Sequence, residues 1–576
     1  MARFNSARTL ICLCLVIAAG CQPTPRTVAV PKLISTPVDP VISKIRDEGL
    51  KHSHVDQTLD YLCNVIGQRL TGSPSQSRAS DWTRDTLEKW GLTDAHLEGW
   101  GPFGRGWSVD RFSIQIIDPY TIVLTGYPKA WSPGFDEPVD LDVVYLNAKK
   151  QSDLTKYSGK LKGKAVLIGV PRAIDAHFAA ESQRLTTDQL AKLSAAPLGK
   201  TKAELLQATT AATAPTESKT TQPSVFAQTA SLNFMTEEFS FAAKEGAALV
   251  IDPSIKGDGG IVFVTSASVP GPTSRPTTRR SFRPGPSTRP KPYAVDAPTI
   301  PAQITITAEN FNRLVRMLAN GQPLKLAVDL RVRFYPPAEV RTFNTIAEIP
   351  GSDLKDQIVM IGGHLDSWHS GTGATDNAVG AACAMEAVRI IRALDLHPRR
   401  TIRIGLWTGE EEGLLGSTAY VKAHFGAFPE DPASSTTLPF TRPVAGVIKK
   451  PEYEQLSVYF NLDNGTGKIR GIYAQSNPAA IPYFTRWLQP FADLDASTVT
   501  ITNTGSTDHI PFDRIGLPGF QFIQDPIEYF PRTHHSNADV FDRIQMDDMR
   551  QASTIMAAFL WDAANMDERF PRKSTQ

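Results

Sequence analysis

The second half of the chain constrains the fold most. From Val340 onward, short apolar runs alternate with amphipathic segments of helical period. Arg341–Ile349, Gln357–Gly362, Thr401–Thr408, Leu456–Leu462, Lys468–Ala474, Ser497–Thr502 and Gly516–Ile523 read as strands. Asp376–Leu394, Leu414–Phe425, Pro478–Phe491 and Met546–Ala564 read as helices. Thr401–Thr408 is apolar almost throughout, which suits a strand covered on both faces. The expectation is an α/β domain whose mostly parallel central sheet lies between two helical layers. Ligands of such sheets gather beyond the carboxyl ends of the strands, so the residues at those ends carry the functional signal.

Histidines and carboxylates stand there. His364 follows Gln357–Gly362 in the run IGGHLDSW, and its imidazole can bind a borderline-soft divalent ion. Asp366, two residues on and on the same side of an extended stretch, can accept the other ring N–H and fix the tautomer. Asp376 follows GTGAT and opens a helix, where a carboxylate either caps the helix or bridges two metal ions. Glu410, Glu411 and Glu412 close the strand Thr401–Thr408. Three adjacent acids beside a buried strand are costly unless solvated, paired or metallated. Neighbours on an extended segment face opposite ways, so their roles divide. Glu411 is the ligand and Glu410 the general base, with Glu412 facing solvent or capping the next helix. Asp463, in NLDNGTG, is a ligand or a turn former. Of the adjacent His534 and His535, one ligates and the other lines the pocket or supports its partner. Asp508 and His509 in GSTDHIPF, with Tyr529 and Arg532 ahead of the histidine pair, are candidate substrate-pocket residues. The donor set indicates a metal-dependent hydrolase, with zinc as the default ion and cobalt or manganese able to use similar ligands.

The remaining sequence divides by composition. A chain of 576 residues exceeds one compact core. Residues 1–21 have a basic start (Arg3, Arg8), an apolar run too short to span a bilayer, and the ending Ala19-Gly20-Cys21. They read as an export signal whose end resembles the lipid-attachment box of bacterial lipoproteins, with a lipid anchor at Cys21 and an envelope or periplasmic location. Residues 22–40 read as a tether, 41–117 as the N-terminal part of the catalytic domain, 118–330 as a β-rich insertion, and 331–570 as the main catalytic part. Within the insertion, Glu181–Thr213 reads as a helix with a loose connector and the Arg-containing Pro270–Pro292 as an exposed loop. His177 stands alone there and reads as structural. Cys63 and Cys383 lie on apolar helical stretches as small core residues that could pair. With 60 basic and 59 acidic residues, no global field recruits nucleic acid.

The blocks GGHLDSW, GATDNAVG, WTGEEEGLLGS, NLDNGTG and HHSNAD together resemble the zinc aminopeptidase family with two bridged metals. GHLDSW and the loop after it look most like the carboxypeptidase Q branch, also called plasma glutamate carboxypeptidase. That resemblance implies a zinc exopeptidase with an inserted protease-associated domain and two Zn2+ per chain. It implies His364 and Asp463 on one zinc, Glu411 and His535 on the other, and Asp376 as the bridge. Glu410 matches the general base and Asp366 the carboxylate that orients His364. Asn377 stands where that branch commonly has an Asp. Short peptides are the implied substrates, with aminopeptidase or dipeptidase action favoured over carboxypeptidase action. A non-catalytic metal-binding scaffold and a sugar-amide hydrolase are the readings of another class. Relatives often dimerise; the residues themselves leave monomer and homodimer both open.

Overall fold

The structure is a computed structural model that describes residues 39–198, 225–270, 290–429 and 446–573, with 225–233 described by backbone alone. The leader, most of the tether and most of the Arg-containing loop lie outside the described residues, as does 199–213 of the expected helix and connector. Two eight-stranded sheets organise the rest.

The first sheet runs in the order Thr93–Gly99, Phe343–Ile349, Arg400–Trp407, Leu354–His364, Leu456–Asn461, Gly519–Gln524, Ile469–Tyr473, Thr498–Thr500. Its four central strands, Arg400–Trp407 through Gly519–Gln524, are parallel, and antiparallel pairings join the outer strands to them on both sides. One face packs on the helices Pro40–Lys51, Val379–Ala393, Ile481–Leu488 and Met546–Asn565 through Ile361, Ile404, Phe460 and Phe559. The other face meets Leu415–His424 and His509–Arg514 through Met360, Trp407, Tyr420 and Phe512. The expected three-layer α/β domain is therefore present. Register brings His364 opposite Trp407 and Gly362 opposite Asn461, so the carboxyl ends of the parallel strands finish level with one another.

The helix Val379–Ala393 lies unusually close to that sheet. A Cβ on Gly380 would sit 2.1 Å from the carbonyl oxygen of Leu462, so only glycine permits the approach. The expected single helix from Asp376 begins later. Asp376 (φ −135°, ψ 85°) and Asn377 (φ −136°, ψ 44°) are not helical. Asp376 is thereby held in the loop beside the helix mouth and is not its cap.

The second sheet runs Ile122–Val123, Gly106–Asp118, Lys325–Tyr335, Val139–Tyr145, Ala165–Leu167, Leu249–Pro253, Ala302–Ile306, Gly126–Pro128. Ala308–Ala319 covers one face, with Phe311 and Leu314 buried, and Val225–Lys244 the other, with Phe239 and Ala242 buried. Gly106–Asp118 and Lys325–Tyr335 pair along their length inside this sheet, so it extends on both sides of the 118–330 segment read from composition. Gly257–Val264 forms no strand of either sheet. Instead Val262 and Asn537 exchange hydrogen bonds and Phe263 bridges to Ser536. The second sheet also meets the first through Trp107, Trp131 and Trp368. Cys63 and Cys383 are buried free thiols and do not pair. Among the described residues no helix is long and apolar enough to cross a membrane.

Candidate metal centre

The level strand ends place the candidate ligands in one cluster. His364 Nε2 lies 3.4 Å from Asp376 Oδ1, 3.7 Å from Asp463 Oδ1 and 3.9 Å from Glu410 Oε2. On the other side of the same carboxylate, His535 Nε2 lies 3.4 Å from Asp376 Oδ2 and 2.9 Å from Glu411 Oε2. Asp376 thus faces two nitrogen–carboxylate groups at once. Ligand atoms of His364, Asp376 and Asp463 fall within 4.8 Å of one another, as do those of Asp376, His534 and His535. His535 holds a left-handed φ of 58°, uncommon for a non-glycine residue, and its carbonyl accepts from Val264 N at 3.1 Å.

The surrounding hydrogen bonds show how the cluster is held. The expected contact between His364 and the Asp366 carboxylate is longer than a hydrogen bond. Nδ1 lies 3.0 Å from the Asp366 main-chain oxygen and 3.6 Å from Oδ1. The carboxylate of Asp366 instead accepts from the backbone N–H groups of Glu410 and Glu411 at 3.3 and 3.2 Å, and from Thr71 Oγ1 at 3.0 Å. It fixes the turn that carries both glutamates. Asp539, which sequence reasoning missed, accepts from Thr375 N at 2.5 Å and Asp376 N at 3.2 Å. Arg69, also missed, is fully buried and donates to the carbonyls of Leu365, Gly67, Thr372 and Gly373. It clamps the loop leading to Asp376. A polar Arg69-Leu70-Thr71 at the end of an apolar helix was the only sequence signal for it.

The electrostatics call for positive charge. Burial, with Asp463 and Asp508 nearby, pushes the Glu410 carboxyl well above its usual range against the pull of His364. Burial and the carboxylate of Asp376 do the same to Glu411. Glu412, expected at the surface, has both carboxyl oxygens buried and is pushed up by burial and by Asp366. Its backbone enters a turn, which swings the side chain inward rather than continuing strand alternation. Burial raises Asp508 and Asp539 to about 7. Burial disfavours the charged imidazole of His364, yet Glu410 and Asp463 outweigh it and raise its pKa. His364 Nε2, Asp376 Oδ2, Glu411 Oε1 and Asp463 Oδ1 are buried without hydrogen-bond partners. Converging orphaned N and O donors among excess buried carboxylates fit divalent zinc, which takes histidine nitrogen and carboxylate oxygen.

The candidate pocket residues separate. Asp508 lies among the ligands, with Oδ1 accepting from Ser417 at 2.5 Å and Oδ2 unpartnered. His509 turns its Nε2 to the carbonyl of Thr504 at 3.1 Å, and burial holds its pKa down near 4. Tyr529 is buried with its ring 5.0 Å from that of His534. Arg532 pairs with Glu181 at 2.8 Å on the rim, beside Glu528. His177 is not alone: it contacts Asp258 at 2.8 Å and Glu181 at 3.2 Å. These acids come from positions the sequence does not connect. His534 stacks on His535 at 3.6 Å, and its Nδ1 lies 3.1 Å from the ammonium of Lys256. Lys256 was not foreseen. It arrives from the loop after Leu249–Pro253 in the second sheet, over the Phe263 ring at 4.5 Å. Burial lowers its pKa to about 8, opposed by Asp376.

Parallel strands bring histidines and carboxylates to one edge of a helix-covered sheet, an α/β fold with a candidate metal site at its strand ends. Residues 344–560 match the model of peptidase family M28. Over 280 residues the chain is 29% identical to carboxypeptidase Q of Mus musculus, covering 49% of this chain and 53% of that protein. The chain thus spans about half the length of the curated relatives it matches. Its fold, second sheet included, is similar to a peptidase M28 precursor from Shewanella amazonensis, with TM-score 0.61, 21% identity, and coverage of 92% of this chain and 97% of that one. It is also similar to BSAP, a zinc aminopeptidase from Bacillus subtilis, with TM-score 0.51, 16% identity, and coverage of 91% and 98%.

Proposed function

We propose that the chain is a two-zinc exopeptidase of short peptides, acting as an aminopeptidase or dipeptidase, with the second sheet serving as a protease-associated domain beside the site. The two-sided setting of Asp376, 3.4 Å from a nitrogen of His364 and 3.4 Å from a nitrogen of His535, carries this reading. His364 and Asp463 would hold one ion, Glu411 and His535 the other, and Asp376 both. His535 is preferred to His534 because Glu411 faces the former at 2.9 Å, whereas an ammonium faces the latter at 3.1 Å. Bound zinc would supply Lewis-acid chemistry, polarising a peptide carbonyl and acidifying water.

The chain's own groups do the rest. Glu410 takes a proton from the attacking water as its oxygen bonds to the scissile carbonyl carbon. When the C–N bond breaks, Glu410 returns that proton to the departing amine. Asp366 holds the Glu410 backbone in place, and the Trp368 and Phe263 rings flank His535 at 6.0 and 5.7 Å. Residues 1–21 support export with a lipid on Cys21, which metabolic labelling with palmitate and a Cys21→Ser variant would test.

Zinc-loaded protein should cleave unblocked dipeptides and contain two zinc ions per chain by elemental analysis. Glu410→Gln should lower turnover by about 10²–10⁴-fold with zinc content nearly intact. Loss of both ions in that variant would contradict the division of roles. A zinc-loaded wild type inert toward blocked and unblocked peptides would favour the scaffold reading instead.

A further inference from the structure

We infer that Lys256, reaching in from the second sheet, binds the free α-carboxylate of the substrate and so selects peptides cleaved one residue from their carboxyl end. This rests on the exopeptidase reading and names what that site recognises.

The case begins with the position of the ammonium. Lys256 Nζ lies 3.1 Å from His534 Nδ1 and 4.5 Å above the Phe263 ring, and Phe263 itself stacks on the candidate ligand His535 at 5.7 Å. The cation is therefore one imidazole removed from the cluster of Asp376, His534 and His535, whose ligand atoms lie within 4.8 Å of one another. Among the described residues no carboxylate forms a salt bridge or hydrogen bond with it, and the Asp376 carboxylate acts on it only from further away. A half-buried ammonium lacking a counter-ion is poorly compensated by a ring face and a neutral imidazole. The other candidate cation at the rim, Arg532, is engaged by Glu181 at 2.8 Å. Lys256 is thus the free positive group beside the site among the described residues.

Chain geometry then restricts the anion. Successive Cα atoms are about 3.8 Å apart. With the scissile carbonyl over Asp376, the group one residue further along the chain is the one this spacing brings beside His534 and Lys256. A longer peptide would put an amide there, which accepts a weaker hydrogen bond than a carboxylate does. The loop carrying Lys256 is tied to the segment after His535 through Val262 and Asn537, with Val262 N donating to Asn537 Oδ1 at 2.7 Å. The distance between ammonium and ligands is therefore fixed by backbone rather than by a flexible tether.

The test compares a panel of Ala-Xaa dipeptides with their C-terminal amides on the zinc-loaded full chain. The free acids should be favoured by about 10- to 100-fold in kcat/KM. Lys256→Met should shrink that ratio toward unity mainly by raising KM for the acids, and Lys256→Arg should restore part of it. A purely structural lysine would depress acid and amide alike and leave the ratio unchanged. Zinc content and thermal midpoint of each variant control for folding. As a readout apart from turnover, calorimetry on Glu410→Gln protein should show tighter binding of a dipeptide than of its amide, and Lys256→Met should abolish the difference. Equal cleavage of acids and amides by the wild type, or an unchanged ratio in Lys256→Met, would overturn this inference and leave the exopeptidase reading standing. Inactivity of the wild type on both series would overturn the two together.

Discussion

Arg69 shows how much a single side chain can decide. Its guanidinium is fully buried and bonds only to carbonyl oxygens, four of them at 2.6–2.9 Å, from the helix end at Gly67 and from the loop Leu365–Gly373. Burial lowers its pKa, and the nearest acids offset this only in part. Arg69→Met would leave buried acceptors unpaired and should cost about 2–4 kcal/mol in urea unfolding. Because Gly373 precedes Asp376 by three residues, the same variant should bind zinc more weakly, measurable by competition with a chelator. Undiminished affinity would mean that the loop holds Asp376 without the clamp.

At the scale of elements, helix ends and strand ends carry the charges that respond to pH. His424 closes the helix Leu415–His424 and sits between two carboxylates, Nδ1 at 3.0 Å from Glu452 and Nε2 at 3.0 Å from Glu98. The hydrogen bonds to Glu452 and Glu98 raise its pKa to about 9. A histidine whose pKa is higher folded than unfolded stabilises the protein fully below about pH 6.5 and loses that contribution as pH rises through about 9. His424→Gln should therefore be less stable than the wild type at pH 6, and the gap should close by pH 10. A gap in the urea midpoint that does not change with pH would show that the imidazole is neutral throughout.

Across the whole molecule, the two sheets are joined at the site by a strap. Arg184 donates to Asp525 at 2.9 Å and Asp548 at 2.7 Å, Gln183 pairs with Ile527 through their backbones, and Arg470 also reaches Asp525 at 2.9 Å. Asp525 is fully buried, so Asp525→Ala would leave the largely buried Arg470 without its carboxylate and the Leu185 N–H unpaired, while Arg184 keeps Asp548. It should cost about 3–5 kcal/mol by urea unfolding. The loop that follows carries Tyr529 to His535, and faster amide exchange across it is the expected companion effect. Removing zinc should lower the thermal midpoint of the entire chain, since the ligand carboxylates would again repel one another; re-addition should restore it.

The sequence by itself determined the layered α/β domain, because strand and helix periods and the apolar core strands are local properties. It also marked the candidate site, because His364, Glu410, Glu411 and Asp463 each sit at or just past the end of a strand that the pattern shows, whereas His535 lies on the loop well beyond Gly519–Gln524. Tertiary structure alone decided the partners that come from distant segments. Asp376 stands outside its expected helix, where its N–H and that of Thr375 donate to Asp539 and Gly380 permits the close approach of the helix that follows. Glu412 turned inward, the carboxylate of Asp366 went to backbone amides rather than to His364, and the two thiols remained apart. Lys256 and Arg69 have no motif at all. Their roles arise from the meeting of one sheet's loop, or one helix's end, with a site built elsewhere, and no local periodicity encodes that encounter.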